Sequence, residues 1–182
     1  MIGRSRMYLV VAVAFTCFFN ASSISQSLAA QSLQEARVIE VNDGDTVTLK
    51  IDDRVYRTRL IGIDAPEMGQ RPWGRRAKEH LIGIMDHTGW TVYVETDVVK
   101  YDKYDRPLSY LWTKEKEFIN EQMVLGGYAV LFSIPPNNKY ARLLSRAEHR
   151  AKQEKLNIWG PKGLKESPAE YRKKHPRTER RP

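Results

Sequence analysis

The 182-residue chain is poor in the residues that staple small proteins together, holding a single cysteine, Cys17. One cysteine excludes an intrachain disulfide framework and leaves no thiolate set for a zinc centre. The four histidines, His80, His87, His149 and His175, show no metal-ligand spacing and are assigned no role. No internal repeat, no Walker-type phosphate loop and no second-domain stretch is present. The one strongly apolar run, Met7 to Phe19, falls short of the roughly 20 residues that span a bilayer comfortably. The apolar fraction of 41% is still enough to fill one core, and the length fits a single domain with appendages.

The first thirty residues read as an address. Arg4 and Arg6 precede the apolar run, a serine-rich stretch follows, and small residues stand at Ala29 and Ala30. That order is the secretory signal pattern. Residues 1–30 are therefore expected to be a signal peptide cleaved after Ala29 or Ala30, with export to the periplasm or the medium. An uncleaved N-terminal anchor is the other reading. Ala14, Phe15 and Thr16 make a poor lipoprotein signal before Cys17, so the mature protein is expected to have no thiol chemistry.

The formal charge of +8 is unevenly spread. Arg4 and Arg6 account for +2, and residues 161–182 hold eight Lys/Arg against three Glu, which leaves +1 for residues 31–160. The body of the chain is nearly neutral, so bulk charge does not establish nucleic-acid binding. The stretch beyond Gly160-Pro161, rich in Lys, Arg and Pro, is expected to be a solvated, disordered tail, with loose tethering to polyanions as the alternative.

From Ala36 to Ile63 the pattern alternates in twos, with Val47, Leu49 and Ile51 on one face and Thr46, Thr48 and Lys50 on the other, as in a strand. Asn42-Asp43-Gly44 marks a hairpin turn, because Asp-Gly tolerates positive φ, and residues 52–54 mark a second one. Helical spacing runs from Trp73 to Met85. Strand character returns at Trp90–Val99 and Leu108–Trp112 across a polar loop, Lys100 to Arg106. Two further helices are expected, over Ile119–Leu125, stopped by Gly126-Gly127, and over Lys139–Lys155, capped by Asn137 or Asn138. Five short strands plus helices indicate a small α+β barrel domain over residues 31–160.

Asp45 shares the register of Val47, Leu49 and Ile51, which places an inward carboxylate at the barrel mouth. Such a group is costly unless it is paired or holds a metal. Arg59-Leu60-Ile61-Gly62-Ile63-Asp64-Ala65-Pro66-Glu67 ends a strand with an arginine and two carboxylates, where active sites collect. Arg59 and Asp64 differ by an odd number of residues, so a plain pleat would point them apart and a bend is required, with Gly62 as a candidate position. Asp102-Lys103-Tyr104-Asp105-Arg106-Pro107 is by itself a solvated loop. Together these segments hold carboxylates for a hard cation, a glutamate to handle water and two arginines for a phosphate, the parts of phosphodiester hydrolysis.

Asp43-Gly44-Asp45-Thr46, Arg59 to Glu67 and Asp102 to Arg106 resemble, in order and spacing, the signature of the thermonuclease (staphylococcal nuclease-like) family. Pro136-Asn137-Asn138 and Glu154 to Trp159 extend the resemblance over residues 36–160. It implies a five-stranded OB-fold β-barrel with three α-helices and a Ca²⁺-dependent endonuclease that acts on DNA and RNA to leave 3′-phosphate ends. Asp45 and Asp64 match metal-ligating aspartates, and Ala65 a position, often Thr, whose backbone carbonyl also ligates. Glu67 matches the glutamate that activates or orients water, and Arg59 and Arg106 the arginines that grip the scissile phosphate. Lys103 and Tyr104 match positions near the phosphate end of a bound nucleotide. Phe132, Ser133 and Ile134 lie where the family often has two tyrosines, so Phe132 keeps a ring while Ile134 does not, which puts base stacking in doubt. Calcium suits a flexible all-oxygen shell. DNA and RNA are the expected partners, no stable protein partner is implied, and a monomer is expected. The rival from another class is a non-catalytic OB-fold nucleic-acid-binding module of the envelope. Retention of the acidic and arginine positions argues against it.

Overall fold

The computed structural model describes residues 33–176; the expected signal segment and residues 177–182 lie outside the described residues. The chain runs β1 (Gln34–Val41), β2 (Thr46–Ile51), β3 (Arg54–Leu60), β4 (Gly62–Asp64), α1 (Trp73–His87), β5 (Thr91–Glu95), β6 (Leu108–Trp112), α2 (Ile119–Leu125), β7 (Val130–Phe132), α3 (Ala141–Gln153), a 3-10 turn (Asn157–Trp159) and α4 (Pro168–Lys174). Strands β1, β2, β3, β6 and β5 close into a barrel in that order, and β4 pairs with β7 as a separate two-stranded ribbon. Every barrel pairing is antiparallel except β3 with β6, where Arg59 lies opposite Leu108. This is the expected five-stranded OB-fold barrel.

Alternation builds most of it, with Thr46 on the opposite face buried as well and Ile51 only partly buried. Val47 and Leu49 are fully buried, and Val38, Leu60, Val92 and Leu111 complete the interior. Helix α1 buries Ala77, Leu81 and Met85 in the same apolar cluster, and α2 adds Ile119, Met123 and Val124.

Three expectations need correction. The helices number four, because part of the tail folds as α4. The strand expected over Trp90–Val99 ends at Glu95, since beyond it Asp97 turns to accept the Tyr110 hydroxyl at 2.8 Å. Asn137 and Asn138 do not cap α3 through their side chains. Tyr140 holds the cap position without a side-chain bond, and Asn137 instead bonds both the Val99 N–H (2.8 Å) and the Val99 carbonyl (2.7 Å). An amide with a donor and an acceptor satisfies the N–H and the carbonyl of one residue at once, whereas a cap would use only its oxygen.

Gly44 shows how tightly α1 locks onto the barrel mouth. A Cβ built there would lie 2.7 Å from the Cβ atoms of both Ala65 and Ala77, so only glycine lets the β1–β2 turn, the strand carrying Asp64 and α1 meet. Gly83 is the opposite case, in the interior of α1 with nothing within 4 Å of an added Cβ. Gly44→Ala is therefore expected to destabilise by about 1–3 kcal/mol through overpacking. Gly83→Ala should stabilise by about 0.4–1 kcal/mol through the unfolded state. Urea denaturation of both variants checks the pair, and equal effects would contradict the packing account.

Candidate active site

The turn after β1 aims the first carboxylates. The Asn42 N–H bonds the Thr46 carbonyl at 2.9 Å, and Asp43 Oδ1 accepts the Asp45 N–H at 3.1 Å, which fixes Asp45 immediately before β2. Asp45 is 7% exposed. Its Oδ2 accepts the Ala65 N–H at 2.6 Å and its Oδ1 accepts the Thr46 hydroxyl at 3.1 Å. Register then brings Arg59 alongside, because Thr46 lies opposite Arg59 in the β2–β3 ladder and the Leu60 N–H bonds the Asp45 carbonyl at 2.9 Å.

The bend required between Arg59 and Asp64 is present. Strand β3 stops at Leu60, and Gly62 takes φ +81°, a left-handed conformation that glycine adopts without penalty. Buried Asn120 of α2 clamps this break, donating to the Ile61 carbonyl at 2.9 Å while accepting the Leu111 N–H at 3.0 Å. Asp64 thereby turns back onto Arg59, whose Nη2 reaches Asp64 Oδ1 at 3.0 Å while Nη1 pairs with Asp45 Oδ1. Burial opposes the Arg59 charge, but the carboxylates of Asp45, Asp64 and Asp43 outweigh it and hold its pKa above the ordinary value. Burial raises the Asp64 pKa, with bonds from Arg172 and the charge of Arg59 pulling the other way.

Glu67 follows on a loop seated on the first turn of α1. Its N–H bonds Gln70 Oε1 at 2.9 Å, and a Cβ at Gly74 would collide with its carbonyl oxygen. The Glu67 carboxylate is drawn to the same place as Asp64 by a residue with no assigned role in the sequence. Arg172 of α4 donates from Nη1 to Glu67 Oε1 and to Asp64 Oδ1, both at 3.0 Å, and from Nη2 to Asp64 Oδ2 at 2.9 Å. The solvated tail expected beyond residue 160 thus differs from the structure over Pro168–Lys174. There Ser167 and Glu170 form a reciprocal capping box with Pro168 at the helix start. The signal was legible as Ser-Pro-Ala-Glu, but tail composition outweighed it.

The third expected segment lies beside the first two and does not join them through side chains. The Arg59 N–H bonds the Pro107 carbonyl at 2.8 Å, which sets Arg106 next to the site in the chain path. Its guanidinium turns to Asp102, with Nε at 2.7 Å from Oδ2. Burial would raise the Asp102 pKa, yet bonds from the Arg106 backbone and side chain and from the Tyr104 N–H hold it below the usual carboxylate range. Lys103 and Tyr104 are exposed, Lys103 Nζ lying 5.0 Å from the Tyr104 ring centroid. Phe132 lies opposite Gly62 in the β4–β7 ribbon and is half-exposed, as is Ile134 beyond it.

Among the described residues, no three His, Cys, Asp or Glu side chains stand gathered to hold a metal ion. The carboxylates converge on guanidinia instead. The donor chemistry nonetheless fits a hard divalent cation: Asp43, Asp45, Asp64 and Glu67 gather around Arg59 and Arg172 in a largely buried setting, all offering oxygen ligands. Burial, and next the charge of Asp45, push the Asp43 carboxyl up to about 6. A raised folded-state pKa stabilises the fold below the ordinary value near 3.8, and that contribution is lost as pH rises through 6. In chelator, melting temperatures of wild type relative to Asp43→Asn should therefore fall between pH 4 and 6. A flat difference would contradict the burial of Asp43 beside Asp45 as the cause of its raised pKa.

Comparison with known proteins identifies the family. The family model described as staphylococcal nuclease homologue matches residues 57–161, which include Arg59, Asp64, Ala65, Glu67 and Arg106. The chain is 35% identical over 144 residues to a protein named thermonuclease from Staphylococcus intermedius, covering 74% of this chain and 80% of the relative. It is 34% identical over 144 residues to the thermonuclease of Staphylococcus hyicus, covering 74% and 81%.

Proposed function

The chain belongs to the staphylococcal nuclease family and is a nuclease of the thermonuclease type, and from that premise we propose that it is an exported, calcium-dependent endonuclease cutting DNA and RNA to leave 3′-phosphate ends. The observation that carries the reading is the convergence of Asp45 and Asp64 on Arg59, with Glu67 tied to the same Asp64 through Arg172. A binding module has no need of two buried aspartates and a glutamate at a surface meant for phosphates, since carboxylates repel the backbone it must hold.

In this reading Asp45, Asp64 and the Ala65 carbonyl hold the calcium ion, which when bound supplies charge neutralisation at a non-bridging phosphate oxygen. Glu67 orients a water and accepts its proton as the water oxygen bonds to phosphorus. The bond from phosphorus to the 5′ oxygen breaks, that oxygen gains a proton, and the phosphate stays on the 3′ side. Arg59 is held rigid by burial and two carboxylates, so its donors need no reorganisation as charge builds on the phosphoryl oxygens. Arg106 swings from Asp102 to supply the second guanidinium. Lys103, Tyr104 and Phe132 flank the nucleotide, and Ile134 offers no ring for stacking, which weakens affinity and leaves the chemical step alone.

Calcium-dependent cleavage of single-stranded DNA, abolished by chelator and by Glu67→Ser, is the expected result for the full chain. Arg59→Ala and Arg106→Ala should each lower the rate about 100- to 1,000-fold. Rates within tenfold of wild type would remove those assignments, and binding without cutting would favour the non-catalytic module. Export rests on the order of Arg4, Arg6, Met7–Phe19 and Ala29-Ala30. N-terminal sequencing of protein recovered outside the cytoplasm should begin at Ala30 or Gln31, whereas a start at Met1 would mean a retained anchor.

A further inference from the structure

We propose that α4 is an autoinhibitory clasp in which Arg172 occupies the carboxylates of Asp64 and Glu67 as a stand-in cation, so that calcium must displace it to enter. The proposal rests on the reading of Asp64 as a metal ligand. Asp64 is 1% exposed and has both oxygens engaged: Oδ1 accepts from Arg59 and Arg172, each at 3.0 Å, and Oδ2 accepts from Arg172 at 2.9 Å. A bidentate guanidinium saturates the outward edge of a carboxylate, the edge a metal ion would take. The same Nη1 holds Oε1 of Glu67, the carboxylate proposed to orient water. One side chain from beyond the barrel thus blocks two proposed roles at once.

The attachment of α4 is specific but slight. Gln70 Nε2 bonds the Glu166 carbonyl at 3.1 Å, and the Tyr171 hydroxyl lies so close to Gly69 that a Cβ there would collide with it. The helix has seven residues and buries only Pro168, while Lys174 pairs with Glu166 and Tyr171 stacks on His175 within the segment itself. Little apolar area is lost when such a segment lifts, so its opening belongs to the low-cost end of local unfolding. Leaving would cost Asp64 its bidentate pair with Arg172, with Arg59 alone remaining, and Glu67 its bond from Arg172, and an arriving divalent cation offsets that cost. Metal binding and release of α4 are therefore linked, and the linkage is reciprocal.

The basic run Arg172-Lys173-Lys174 also acquires a use. Once lifted, it is a set of positive charges beside the entrance for polyanionic substrate, while in the clasped state Arg172 is spent on the protein's own carboxylates.

Calorimetric calcium titration of the full chain, wild type against Arg172→Ala and Arg172→Lys, tests the clasp. The dissociation constant should fall about tenfold in Arg172→Ala if the open state is roughly a tenth of the wild-type population, and less in Arg172→Lys, which keeps a charge but loses the fork. Calcium should also speed tryptic cleavage after Arg172 in the wild type, a readout independent of activity. Equal affinities, or calcium-insensitive cleavage, would overturn the clasp and leave the calcium site standing. No calcium binding by any of the three would overturn both. A loss of cleavage rate in Arg172→Ala at saturating calcium would make Arg172 a substrate-contacting donor and overturn the clasp alone.

Discussion

Arg59 is the contact on which the arrangement of the site depends. It is a buried cation at the end of β3, and it is tolerated there because Asp45 and Asp64 meet it from two separate chain segments. Each carboxylate would be costly alone in the same place, and so would the guanidinium. None of the three therefore fixes the geometry by itself. The β2–β3 register sets Asp45 next to Arg59, the break at Ile61 and Gly62 turns Asp64 back, and Asn120 holds that break from α2. A buried ion pair is weak evidence for stability. Here its consequence is positional, because the guanidinium is held in one orientation by carboxylates from two chain segments.

The barrel was legible in the sequence because its signals are local. Alternation through Val47 and Leu49, the Asp43-Gly44 turn and the helical spacing of Ala77 and Leu81 each follow from one or two turns of chain, and all three appear in the structure. The need for a bend between Arg59 and Asp64 was legible too, since parity alone demands it. What holds the bend was not, because Asn120 lies 59 residues from Ile61 and an asparagine in a short helix carries no mark of its partner. The same limit applies to Asn137. Its place before a helix suggested a cap, while its use as a clamp on Val99 depends on where the β5–β6 connection passes.

Arg106 illustrates a subtler gap between pattern and geometry. Its position in the motif and its path beside Arg59 agree, yet its guanidinium rests on Asp102. Both are compatible, because the Asp102 carboxylate gives the guanidinium a partner of opposite charge at the edge of the site. Asp102 also receives the N–H groups of Tyr104 and Arg106, so the loop is ordered by the same carboxylate that parks the arginine. The loop's exposure and the motif's residues are thus two aspects of one design, and reading it as merely solvated misses the Asx-type bonding that shapes it.

The tail shows why composition is a poor guide when a cap is present. Lys, Arg and Pro in excess suggest a chain that cannot bury enough to fold. Ser167 and Glu170 change that locally, because a capping box satisfies donors that otherwise face water, and Pro168 is preorganised for the first turn. Even so, seven residues make a marginal helix in isolation. What selects it is a target of opposite charge: the pKa of Arg172 is raised, chiefly by its bond to Asp64, and burial works only partly against this. The carboxylates at the barrel mouth thus act on the far end of the chain as well, because Asp64 and Glu67 supply the partners that fix Arg172 and with it the seven-residue helix.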